Sequence, residues 1–171
     1  MAKLFLQTLP TQEELQQNAA ELCPNVDPNA LYTHLLFRKI STDLESKFDN
    51  FFAKWNLSPG RFTLLIMLRK APGGLMPSEI AQKVGVTQAT ISGLINSLEK
   101  AELVKRTTHE KDGRSFVIQL TDKGYALIEE VSPLWFTNIG NFFGQFNEED
   151  QKLLNGLLIR MSENTNLLNM K

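Results

Sequence analysis

The chain has 171 residues, 42% hydrophobic and 22% charged, with 18 Lys plus Arg against 19 Asp plus Glu and a formal charge of −1. A chain of this length buries about two thirds of the surface its unfolded form exposes, so disulfide staples are unnecessary, and a single cysteine, Cys23, excludes an intrachain one. The near-neutral total excludes a histone-like basic tail and an acidic disordered segment, but it leaves local patches open.

Residues 1–26 read as a weakly patterned leader interrupted by Pro10, Asn18, Pro24 and Asn25. The start, MAKLFLQTLP, has too short an apolar run for a signal peptide, and no stretch approaches the roughly 18 to 20 apolar residues of a membrane span. A cytoplasmic protein is the expectation, with no membrane partner. From Asp27 the signals sharpen. Asp27 can cap a helix, Pro28 suits its first turn, and Leu31, Leu35, Leu44, Phe48, Phe51, Phe52 and Trp55 recur at mostly helical spacing. A long helix through about Lys54 follows.

Ser58 and Pro59 repeat the start signal for a short helix carrying Phe62, Leu65, Ile66 and Leu68, which ends before Ala71–Gly74. Pro77 opens another through about Val84, and Gly85 breaks it. Thr87 can cap a third, whose Ile91, Leu94, Ile95 and Leu98 form an inward stripe. The pattern then turns strand-like at Leu103–Thr107 and Phe116–Leu120, where Phe116, Ile118 and Leu120 alternate with Val117 and Gln119. Glu110, Lys111, Asp112 and Gly113 supply a polar hairpin tip. Thr121 can cap a long helix from Asp122 through Phe143, with Pro133 a candidate kink. Asn147 starts a last helix with Leu153, Leu154, Leu157, Leu158 and Met161 on its apolar side, and the tail beyond Glu163 is expected to fray.

Charge is segregated along this order. Residues 60–124 hold ten basic against six acidic side chains, a balance of +4, and the rest holds eight against thirteen, a balance of −5. The outer face of the third short helix is small and polar, so it can enter a major groove. Thr87, Gln88, Ala89, Thr90, Ser92, Gly93, Asn96 and Lys100 are the candidate DNA contacts there, with Gln88 and Asn96 as base readers. Lys111 and Arg114 would carry positive charge from the hairpin to a backbone or minor groove, with Asp112 supporting Arg114. Each also has a plainer reading as a solvated surface group.

The segment MPSEIAQKVGVTQATISGLINSLEKAELVKR, followed by EKDGRSFVIQLTDKG, resembles the MarR family of winged-helix transcriptional regulators, and the resemblance extends over about Ala30–Glu163. It implies a mainly α fold with a small β-hairpin: a winged helix-turn-helix lobe plus a helical dimerisation region. Residues 1–26 would be a variable leader, 27–57 an N-terminal dimerisation helix, 58–121 the DNA-binding lobe and 122–171 the C-terminal dimerisation helices. Met76–Gly85 and Thr87–Ala101 resemble the two helices of the motif, and Arg114 the wing arginine. Gly93 and Ser97 stand where basic residues are common, and Glu102 where a turn glycine is frequent.

By that resemblance the protein is a sequence-specific DNA-binding regulator, in the first instance a repressor, acting as a homodimer on pseudo-palindromic double-stranded DNA. Release by a small aromatic or phenolic effector is also implied, with Trp55, Phe62 and Trp135 as candidates to line its site, although packing is the plainer role of each. The surplus of aromatics at Trp135, Phe136, Phe142, Phe143 and Phe146 suits a partner surface. Cys23 loosely resembles the sensing thiol of peroxide-responsive members, but Pro24 breaks the helical context and a non-regulatory thiol is preferred. The alternatives are a thiol-based redox regulator and a winged-helix module that binds protein instead of DNA. With Cys23, His34 and His109 widely separated, neither catalysis nor a metal site is expected, and no cofactor is needed.

Overall fold

A computed structural model describes residues 8–22, 24–109 and 112–168. The chain divides between Met67 and Leu68 into two compact units. In the first, α1 (Gln12–Leu22) packs on α2 (Pro28–Ala53), and α3 (Pro59–Arg69) begins. The second holds α4 (Pro77–Val84), α5 (Gln88–Lys100), the antiparallel pair β1 (Val104–His109) and β2 (Asp112–Leu120), α6 (Asp122–Phe143), α7 (Glu148–Glu163) and a 3-10 turn at Thr165–Leu168. The expected mainly helical architecture with one small hairpin is what the chain adopts.

Helix starts follow the capping chemistry of the sequence. Asp27 accepts from the Asn29 amide at 3.0 Å, Thr121 from Gly124 at 3.1 Å and Asn147 from Asp150 at 2.9 Å, each satisfying an otherwise orphaned donor. The leader departs from its weak pattern. Thr11 and Glu14 form a reciprocal capping box, with the Thr11 amide donating to Glu14 at 2.8 Å and the Glu14 amide to Thr11 at 3.2 Å, and α1 follows. α6 stays helical through Pro133.

Two helices end on non-glycine residues in the left-handed region. Asn56 (φ 57°) closes α2, with the Leu57 amide reaching back to the Phe52 carbonyl at 3.1 Å. Glu102 (φ 61°) closes α5, with Leu103 reaching Leu98 at 2.9 Å. Both are Schellman closures, a position that normally favours glycine.

The core of the second unit is aliphatic. Ile80, Ile91, Ile95, Leu98, Ile118, Ile128 and Val131 are all essentially inaccessible. The end of α5 and the start of α6 meet closely: Thr121 donates its amide to the Leu103 carbonyl at 3.1 Å and its hydroxyl to the Glu102 carbonyl at 2.6 Å. Gly124 is buried there, and a Cβ on it would collide with the Leu103 carbonyl oxygen, so the approach requires glycine.

Candidate nucleic-acid interface

α4 and α5 form a helix-turn-helix because the sequence stops one helix and starts the next within three residues. Gly85 sits at φ 68°, ψ 31°, and Val86 returns its amide to the Ala81 carbonyl at 3.2 Å. Thr87 then caps α5 by accepting from the Thr90 amide at 3.2 Å, and the two threonine hydroxyls lie 3.0 Å apart. Ile91, Ile95 and Leu98 bury the inner stripe, whereas Leu94 is half-buried.

On the opposite side Gln88, Ala89, Thr90, Ser92, Gly93, Asn96 and Lys100 are all exposed, as is the capping Thr87. At about 100° per residue, Gln88, Ser92, Asn96 and Lys100 advance around the axis by only about 40° at each step. They form one shallow stripe, about 18 Å long from Gln88 to Lys100. Beside this stripe, Gly93 carries no side chain and faces open space, so a base edge or phosphate can approach the helix closely there.

The hairpin is set beside α5 at its base. β1 and β2 pair from Val104 with Leu120 to Thr108 with Phe116, and the register shifts between Thr108 and His109. A short third segment extends this sheet: Leu75 exchanges both backbone hydrogen bonds with Ile118, at 3.1 and 2.9 Å. Gln119 donates to the carbonyls of Pro72 and Gly73 at 3.4 and 3.2 Å, and Gly74 adopts φ 86° where a Cβ would meet the Ile118 carbonyl. This loop covers one face of β2, so the expected alternation does not hold: Val117 is buried as well as Ile118, and Phe116 is 41% exposed.

Phe116 supports a basic group that the sequence reading did not single out. The Arg106 guanidinium lies 5.1 Å from its ring centroid, donates to the Asn96 side-chain oxygen at 2.7 Å and pairs with Glu99 at 3.3 Å. Its only trace in the sequence is its place in the basic surplus, because the contact with Asn96 forms across the α5–β1 junction. Asp112 and Arg114 fall at the start of β2, with their side chains outside the described residues. Lys111 and Cys23 lie outside them altogether.

The candidate effector residues differ in setting. Phe62 is buried, 4.7 Å from the Phe52 ring, and Trp55 is half-buried at 5.2 Å from Phe51. Trp135 is half-buried on α6. Among the described residues no group of three or more His, Cys, Asp or Glu could hold a metal ion, and no helix is long and apolar enough to cross a membrane.

A second exposed surface lies on α7, none of whose residues is buried. Leu153, Leu157, Leu158, Ile159 and Met161 are 40–64% exposed, and Phe136, Phe142, Phe143 and Phe146 add to the apolar surface of the second unit.

Residues 55–115 match the model of the MarR family. The chain is 32% identical over 162 residues to the HTH-type transcriptional repressor YetL of Bacillus subtilis, covering 92% of this chain and 96% of that relative. It is 31% identical to the HTH-type transcriptional regulator PecS of Dickeya dadantii, covering 82% and 86% of the two chains. Its fold is similar to that of MepR of S. aureus in complex with DNA, with a TM-score of 0.68 at 25% identity over 76% of this chain and 94% of the other.

Proposed function

The chain belongs to the MarR family of transcriptional regulators, and from that premise we propose that it represses transcription as a homodimer bound to pseudo-palindromic double-stranded DNA. The observation that carries the reading is α5: Ile91, Ile95 and Leu98 are buried inside the lobe, while Gln88, Ser92, Asn96 and Lys100 are exposed along its polar face. A helix so anchored can be inserted into a major groove without exposing core. Gln88, Ser92 and Asn96 supply groups for base edges. Thr87, Thr90 and Lys100 suit phosphates, Ala89 and Gly93 allow close approach, and Lys111 and Arg114, with Asp112 in support, serve the wing.

Two copies are needed because a palindromic site presents two half-sites about 34 Å apart, or a multiple of that. The exposed leucines of α7 and aromatics of α6 are the surface we assign to the partner copy. The similarity to a repressor and to a regulator solved on DNA supports the repressor and DNA-binding parts of this reading. We further propose a small aromatic or phenolic effector that lowers DNA affinity. Trp55 and Phe62 in the first unit, and separately Trp135 in the second, are the candidate contacts.

The test is selection of duplexes from a random pool by the full-length protein, followed by affinity at several salt concentrations. A palindromic consensus, a two-to-one stoichiometry and affinity that falls steeply with salt are expected. Arg114→Ala should reduce the salt slope by about one. A protein that selects no sequence yet captures a protein partner would instead be an interaction module. Titration with simple hydroxybenzoates, read by tryptophan fluorescence and by release of the selected duplex, tests the effector.

A further inference from the structure

We propose that Arg106 is a positioning residue that holds Asn96 as a hydrogen-bond donor toward DNA, so that this point of α5 selects guanine over adenine. The inference rests on the reading that Asn96 faces a base. A guanidinium has five donors and no acceptor, so the carboxamide atom 2.7 Å from the Arg106 terminal nitrogen must be the oxygen. The amide nitrogen, with both its hydrogens, is thereby turned the other way on an exposed side chain.

The usual pairing of asparagine with adenine needs both halves of the amide, the oxygen accepting from N6 and the nitrogen donating to N7. Here the oxygen is already engaged by a charged donor, which makes the stronger bond. One of the oxygen's two lone pairs is thus taken, and the guanidinium charge beside it disfavours a second donor such as adenine N6, whereas guanine presents two adjacent acceptors, N7 and O6, in the major groove.

Arg106 is itself held from two further directions. Its Nε lies 3.3 Å from Glu99 Oε2, and its central carbon lies 5.1 Å from the Phe116 ring centroid. A helix residue, a strand residue and the reader itself thus fix the plane of the fork. The same contacts account for two otherwise awkward features of a DNA-facing surface. Phe116 is exposed because it is the platform for the guanidinium, and the Glu99 carboxylate is paired rather than left to repel phosphate.

The experiment uses the full-length protein and its selected duplex, with each base pair changed in turn, for wild type, Asn96→Ala, Arg106→Ala and Arg106→Met. Wild type should prefer guanine to adenine about fivefold at one symmetry-related pair of positions, and Asn96→Ala should lose that preference alone. Arg106→Ala should move the same position toward adenine, because the carboxamide loses both its fixed orientation and the cation that disfavours a donor at its oxygen. Arg106→Met, which keeps a stem over Phe116 but has no donor, should do the same and provides the reading if the alanine form does not fold. Guanine preference retained in either folded Arg106 variant overturns the proposal. So does uniform weakening across all duplexes with a salt slope lower by about one, the behaviour of a phosphate contact. A base profile unchanged by Asn96→Ala would instead remove the base-reading role beneath it.

Discussion

α5 and α7 are amphipathic helices of 13 and 16 residues in the same unit, and their apolar sides have opposite fates. Ile91, Ile95 and Leu98 of α5 are 1% exposed, whereas Leu153, Leu157, Leu158, Ile159 and Met161 of α7 are 40–64% exposed. Helical periodicity gives both helices an apolar side, but it does not tell whether the surface covering that side belongs to the same chain. The lobe around α5 completes its core within one copy. α7 instead carries an apolar side with the exposure of a surface element, which is why it is the surface proposed for a partner copy.

The comparison breaks most readily through truncation in the two stripes. Ile95→Ala should cost about 2–5 kcal/mol in denaturant unfolding at any protein concentration, because the cavity lies inside one chain. Leu157→Ala should cost a comparable amount only where the copies are associated, and little at dilution. Equal, concentration-independent losses would erase the distinction. Next in size, Leu157→Glu should shift the sedimenting species to monomer and lower affinity for a two-half-site duplex at least tenfold, with the far-ultraviolet dichroism of the lobe unchanged. A dimer that survives this charge would move the interface away from α7.

The smallest effect sharpens the lobe's side of the comparison. Glu102 occupies the left-handed region, at a cost of about 1 kcal/mol for a residue with a Cβ, and its pair with Lys123 at 3.0 Å is largely exposed and weak. Glu102→Gly should therefore raise stability by about 0.5–1 kcal/mol, seen as a higher Tm that does not depend on concentration. A lower Tm would mean that the surface pair outweighs the backbone strain.

What was legible in the sequence follows this division into local and non-local causes. Asp27, Thr87, Thr121 and Asn147 each cap through a side chain acting on a backbone amide two or three residues away, so composition and order suffice to find them. α1 was legible on the same grounds, since Thr11 and Glu14 stand at capping-box spacing, but Pro10 and Asn18 drew attention to interruption instead. The outer face of α5 was readable because its inner stripe is unambiguous. The burial of Val117 was not, because the Leu75 segment that covers its face of β2 lies more than forty residues earlier. The capture of Asn96 by Arg106 was equally hidden, since it needs the turn at Glu102 to bring β1 back along α5.

The clamp of Leu75 and Gln119 on β2 makes the hairpin a cantilever. From its root at Ile118 to Asp112 the strand runs six residues, an arm of about 20 Å. Over that arm, a change of about 10° in direction at the root would displace the Asp112 end by about 3.5 Å. Aim is therefore set at the fixed end. Gly74, whose φ of 86° and missing Cβ let the clamp close, therefore helps set the direction in which β2 leaves its root.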